Sequence, residues 1–326
     1  MDEIICTLAL KNIPGIKDSH IFLLLNHFNN PCDIFNATKA ELLEAGLKQD
    51  HIEILKNSRI ARTAFFDAIN EIEEAGKNNI KIITFKSPFY PSNLLLVKNR
   101  PPVLYYMGVL KENLKFAVAV IGQRMPPEYA GELAERITNY IGLSGFSIIS
   151  GLAAGIDTIA HKTALNYGVY TAAFIGSGLL ELVYPPENKE LLQEVVLKKG
   201  AVISELSLYS KLSSKYLVAR DRLQSGSSLA VFAVSSPVSG GTMKTCGFAM
   251  KQKRPVFIPD YPPALMDDHA NLGLKSLINK PGVVKFNVNN IDLNNIIDEI
   301  RIIYNDLYGE KTDKTGLPLT QLKLFE

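Results

Sequence analysis

Short apolar runs recur along the middle of this chain and alternate with stretches of helical spacing. The runs are Phe116–Ile121, Phe146–Ile149, Tyr170–Ile175, Ala201–Ser204, Leu229–Val234, Val256–Ile258 and Val283–Phe286. Between most of them lie Tyr129–Ile141, Thr158–Tyr167, Lys189–Lys198 and Met243–Gln252, which read as helices. Continuous apolar strands are buried on both faces, as in a parallel sheet covered by helices on each side. The fold class expected is therefore α/β: an extended Rossmann-like parallel sheet with helices on both faces, over residues 79–288. Ile80–Thr84 reads as extended, and the segment from Tyr90-Pro91 to Tyr105-Tyr106 as a bridge into the sheet.

Residues 1–78 read as a small helical module of helix-hairpin-helix or SAM-like type. Leu10 to Ile16 followed by His20–Phe28 has the helix-hairpin-helix pattern, in which the turn glycine lets backbone amides approach a phosphate. The alternative is a packing module that touches no nucleic acid. Thr38 and Glu41 have capping-box spacing, and Gly46 stands where that helix should stop. Beyond the sheet, Ile296, Ile297, Ile300, Ile303, Tyr304 and Leu307 repeat at helical spacing, which predicts one amphipathic helix over 289–308. Residues 309–326 read as a flexible tail.

Composition narrows the function. The 326 residues are 47% hydrophobic and 21% charged, which suits a globular protein with a proper core. Net charge is only +2, so any nucleic-acid site has to come from local clustering. Cys6, Cys32 and Cys246 are few and scattered, which argues against a disulfide framework or a zinc site and for a reducing cytoplasm. No apolar run approaches the ~18 residues of a membrane span, and Asp2 and Glu3 open the chain without a signal-peptide pattern. The expected localisation is cytoplasmic, with no membrane contact.

Ligands of such sheets lie beyond the carboxyl ends of the strands. The turns there read Gly122-Gln123-Arg124, Ser150-Gly151-Leu152-Ala153-Ala154-Gly155-Ile156-Asp157 followed by His161, Gly176-Ser177-Gly178 with Tyr184-Pro185, Ser204-Glu205, and Ser239-Gly240-Gly241-Thr242. Arg220-Asp221-Arg222 adds two guanidinium groups in one segment. Glycines and hydroxyls supply phosphate-cradling amides and donors, and arginines supply bidentate forks. The first turn lacks G-x-G-x-x-G, and no G-x-x-x-x-G-K-[ST] occurs, so neither a dinucleotide cofactor nor a Walker-type ATPase is expected. No cofactor and no metal are expected.

In this order and spacing, these motifs resemble the DNA-processing protein A (DprA/Smf) family, from about residue 80 to residue 286. The resemblance implies a non-enzymatic protein that binds single-stranded DNA, forms a homodimer and helps load a RecA-type recombinase in natural transformation or related recombination. Carried over by position, Arg124 would grip a phosphate, and Ser150 and Gly151 would offer donors. Lys162 beside His161, with Arg220 and Arg222, would line the same mouth, joined by Gly122, Gly176, Ser239, Gly240 and Lys244. The alternative for Arg220 and Arg222 is a salt bridge. The chain departs from the family in four places. Asp221 stands where Asn is common, Val234 near a usual Glu, Pro186 where some members are basic, and Ser239–Thr245 is one residue longer. The family's optional C-terminal winged helix is not expected here.

Two rival readings share the fold: a nucleotide-binding sensor, and a nucleotide phosphoribohydrolase, whose glycine-rich signature Ser239–Thr242 faintly resembles. That hydrolysis needs a carboxylate at the end of the motif, and residues 246–250 are Cys-Gly-Phe-Ala-Met. At the chain's end, Gln321-Leu322-Lys323-Leu324-Phe325 matches the bacterial sliding-clamp-binding pentapeptide Gln-Leu-x-Leu-Phe. Leu and Phe anchors on a tether suit apolar pockets on a partner. A chance match, or packing back onto its own domain, is the alternative.

Overall fold

A computed structural model describes residues 2–112, 114–288 and 293–309. Six helices come first: α1 (Glu3–Asn12), α2 (Asp18–Leu25), α3 (Pro31–Asn36), α4 (Lys39–Glu44), α5 (Gln49–Leu55) and α6 (Ser58–Lys77). Their ends are set locally. The Asp2 side chain caps α1, and Asn30 ahead of Pro31 caps α3. Thr38 and Glu41 form the expected reciprocal box, with the Thr38 N–H 2.7 Å from Glu41 Oε2 and the Glu41 N–H 3.3 Å from Thr38 Oγ1. Leu8, Ile21, Leu24, Ile34, Leu42 and Ile52 are buried together, and the same cluster continues onto Val103, Tyr105 and Val202 of the sheet. Cys6 on α1 and Cys32 on α3 form a disulfide, their Cα atoms 5.2 Å apart. That corrects the reading of unpaired cysteines: the packing of α1 on α3 closes a sequence separation of 26 that spacing alone does not reveal.

The sheet has nine strands: β1 (Lys81–Thr84), β2 (Val103–Gly108), β3 (Ala117–Ile121), β4 (Ser147–Ser150), β5 (Thr171–Phe174), β6 (Ala201–Ser204), β7 (Ala230–Ala233), β8 (Val256–Asp260) and β9 (Val283–Asn287). Their order is β1-β2-β6-β5-β4-β3-β7-β8-β9. Seven of them run parallel, and β1 and β2 extend the β6 edge antiparallel, with Tyr105 opposite Ser204. The seven apolar runs mark β3 to β9, and the extended reading of Ile80–Thr84 marks β1. The ninth, β2, lies in the segment read as a bridge. A strand can start directly after proline because its first position need not donate to the ladder, and β2 follows Pro101-Pro102.

Helices α7 (Ser92–Leu95), α8 (Glu128–Leu143), α9 (Ile156–Asn166), α10 (Lys189–Leu197), α11 (Ser214–Gly226), α12 (Gly241–Lys251), α13 (Pro263–Met266), α14 (Leu272–Lys275) and α15 (Leu293–Tyr308) complete the fold. Successive strand side chains point to opposite faces. Ala117, Ala119 and Ile121 accordingly pack with Leu223 of α11 and Cys246 of α12, while Val118 and Val120 pack with α8, α9 and α15. On α15 the expected Ile296, Ile297 and Ile300 are buried, and Tyr304 stacks on Phe116 with ring centroids 4.0 Å apart. Among the described residues no helix is long and apolar enough to cross a membrane. The expected tail beyond Gly309 lies outside the described residues.

Candidate nucleic-acid interface

From β3 the sheet grows one way through β4, β5 and β6, and the other way through β7, β8 and β9. The loops after β3 and β7 therefore diverge, and a crevice opens at that switch point. It is a cleft of about 950 Å³ lined by Gly122, Arg124, Asp157, Tyr184, Arg220, Asp221, Gln224, Ser239, Gly240 and Thr242, among others. The two loops are zipped at its floor by the Gln123 N–H to the Ser235 carbonyl at 3.0 Å. A recess of about 20 Å³, bounded by Gly151, Gly176, Gly178 and Tyr184, adjoins it.

Among the described residues, Arg124 is the exposed cation lining this cleft. It extends from the turn after β3, donates to Tyr184 Oη at 3.1 Å and lies over that ring at 5.5 Å from the centroid. Tyr184 thereby orients the guanidinium while leaving its other donors open. Gly122, Gly176, Ser239 and Gly240 lie on the walls of the cleft and recess.

Other assignments are corrected by the structure. Ser150 is buried and donates its hydroxyl to the Val120 carbonyl at 2.7 Å, so it ties β4 to β3. The Gly151 and Ala153 N–H groups donate to Asp157 Oδ2 at 3.1 and 3.3 Å. The glycine turn is thus an anion cradle whose anion is its own Asp157. A Cβ on Gly151 would lie 2.1 Å from Arg220 Nη1, so glycine there makes room for an arginine of the protein itself. Arg220 is 5% exposed and donates to the Gly151 and Phe174 carbonyls, with Nε 3.3 Å from Asp221 Oδ1. It reaches the cleft wall as part of the framework.

Arg222 does not reach the cleft. It makes a bidentate pair with Glu205, at 2.6 Å and 2.5 Å, and donates to the Asn99 carbonyl at 3.2 Å. Both arginines sit on α11, and residues two apart on a helix do not share a face. Lys162 on α9 and Lys244 on α12 are exposed but stand outside the cleft lining. His161 is fully buried, its Nδ1 2.7 Å from Thr171 Oγ1, and burial pushes its pKa down to about 3. It is a neutral core residue.

The sequence reading missed α11 because its buried face is polar: Arg220, Asp221, Gln224 and Ser225 replace the usual apolar stripe. With that helix recognised, Gln224 falls one turn after Arg220 and thus on the same face. Thr242 and Thr245, at the start of α12, also line the cleft. Burial drives Asp221 up to about 7, opposed by Arg220 and reinforced by the neighbouring Asp157. Asp157 is likewise raised by burial, against the pull of Arg220 and the loop amides. Among the described residues, the cleft thus presents the Arg124 guanidinium and the Asp221 carboxyl, whose pKa burial raises to about 7.

This fold and cleft define an extended Rossmann-type α/β protein with a strand-end site and a helical module before it. The sequence pattern of DNA recombination-mediator protein A matches residues 81–293, and the chain belongs to that family. It is 30% identical over 271 residues to protein Smf of Synechocystis, covering 82% of this chain and 67% of that one. It is 36% identical over 170 residues to DprA of Streptococcus pneumoniae, covering 52% of this chain and 58% of that one. The chain thus spans between about half and two thirds of the length of several such relatives. The X-ray structure of the S. pneumoniae protein superposes with TM-score 0.62 at 26% identity, over 85% of this chain and 92% of that one. DprA of Helicobacter pylori, whose structure describes a single-stranded DNA binding mode, gives 0.57 at 25% identity over 67% and 97%.

Proposed function

We propose that this chain is a non-enzymatic recombination mediator that holds single-stranded DNA in the cleft between the β3 and β7 turns. The observation that carries the reading is the exposed Arg124 guanidinium, oriented by Tyr184 over a cleft lined by hydroxyls, glycines and amides. Such a lining contacts a sugar-phosphate backbone without reading bases. The hydrolase reading draws no support from α12, whose residues 246–250 carry no carboxylate. Asp157 is occupied by two loop amides.

Further partners follow from family membership and from the tail. The recombinase partner is of RecA type, the protein acts as a homodimer in the cytoplasm, and residues 321–325 dock on the sliding clamp. The cleft is tested by titrating labelled oligo-dT at two salt concentrations with wild type and Arg124→Ala. Loss of one charge-assisted phosphate contact should weaken binding by about 1.5–3 kcal/mol and flatten the salt dependence. Equal affinity in both proteins overturns the assignment.

A further inference from the structure

Four nitrogen-bearing side chains gather at the turn between α1 and α2, away from the cleft: Lys17, His20, Lys48 and His51. The His20 and His51 rings lie 4.3 Å apart between centroids. The Lys17 N–H donates to His20 Nδ1 at 3.3 Å, so the neutral imidazole carries its proton on Nε2, and the ring also engages the Gly15 backbone. The turn itself is Pro14-Gly15, exposed, with Gly15 at φ +82, and a Cβ built on Gly15 would meet His51 Cδ2 at 4.0 Å. The imidazoles thus stand beside the bare backbone of the turn.

The helix starts beside this group carry lysines, with Asp18 and Asp50 in the first turns of α2 and α5. Lys17 is the N-cap of α2, where the His20 side chain reaches back to its N–H, and Lys48 is the N-cap of the seven-residue α5, which has no side-chain cap bond. A lysine has no acceptor for first-turn amides, and its charge adds to the positive end of the helix dipole. After burial, the neighbours that hold His20 below the ordinary imidazole value are His51, Lys17 and Lys48, opposed by a hydrogen bond to the Gly15 backbone. The neighbouring Asp18 interacts instead with Lys11, Glu205 and Arg222. The Nδ1 atom of His51 is buried without a hydrogen-bond partner. An anion at the turn would offset each of these costs.

We propose that Lys17, His20, Lys48 and His51 form, with the Gly15 turn, a second phosphate-contact site on which a nucleic-acid backbone rests. Lys17 and Lys48 are exposed, and the turn is open rather than enclosed, so the site suits an extended polyanion better than a small trapped ion. Its donors reach phosphate only, so it accepts single strands and duplexes alike. The proposal rests on nucleic acid being this protein's ligand, but not on which residues of the cleft hold it.

The test uses the full chain, with oligo-dT and a duplex of about 30 base pairs as probes. Both are followed by anisotropy across a salt series, for wild type, Lys17→Glu/Lys48→Glu and Arg124→Ala. Histidine imidazole resonances are followed by NMR with oligonucleotide and, separately, with inorganic phosphate. The lysine double variant should keep its melting temperature, bind duplex at least about five-fold more weakly and lose about one to two in salt slope. Arg124→Ala should leave duplex binding, and the response of His20 and His51 to oligonucleotide, intact. Unchanged dT affinity in Arg124→Ala with those histidine responses retained would fail the cleft and leave this site standing. Undetectable duplex binding by wild type, unchanged affinity and slope in the double variant, or histidine signals that answer to inorganic phosphate alone, would each overturn it.

Discussion

Arg220 and Arg222 are two positions apart on α11, so about 200° separates them around its axis. Arg220 faces the strand ends and Arg222 faces Glu205. Between them, Asp221 lies on the cleft wall, with a pKa raised to about 7 chiefly by burial. DNA phosphates nearby would raise it further, so binding takes up a proton. Affinity should therefore increase as pH falls from 8 to 6 and the carboxyl neutralises. A unit charge at short range in a wet cleft contributes about 1 kcal/mol, so the change should be roughly five-fold. Asp221→Asn should bind more tightly at pH 8 and flatten the profile, by anisotropy at constant ionic strength. A wild-type profile flat over that range would refute the role given to Asp221.

At the scale of elements, the glycine loop after β4 and helix α11 form one unit. Loop amides wrap Asp157, Arg220 bridges the loop to the end of β5, and Gly155 at φ +76 starts α9 against the β3 turn. Removing Arg220 leaves Asp157 and Asp221 buried without their cation, which typically costs about 3–5 kcal/mol. Arg220→Ala should lower the urea midpoint accordingly, with DNA binding lost as a consequence of unfolding. Arg222→Ala breaks the pair with Glu205 at a smaller cost, about 1.5–3 kcal/mol, and should bind DNA as wild type does once folded. If both variants keep wild-type stability and only Arg220→Ala loses DNA, then Arg220 is a ligand-binding residue rather than a brace. The motif sequence pointed to amides arranged around a ligand anion. It did not show that the anion is internal, because Asp157 comes round to its amides only when α9 starts at Gly155.

For the whole molecule, sheet order places the cleft. Sedimentation at tens of micromolar should show a dimer, and monomer alone there removes the homodimer from the proposal. A peptide of residues 312–326 should bind purified sliding clamp, with Leu324 and Phe325 as anchors whose burial supplies roughly 1.5–3 kcal/mol each before ordering costs. No heat in calorimetry and no competition with a known clamp ligand make the pentapeptide a coincidence. The sequence by itself determined the α/β class and the seven parallel strands, because double-sided burial forces continuous apolar runs that need no partner to be recognised. It also carried the family, through short motifs in fixed order at strand ends. Only the tertiary structure decided which of those residues face the cleft. Side-chain direction depends on where α11 starts, on how its polar face packs, and on which carboxylate reaches which amide, and each of these is fixed by contacts distant in sequence.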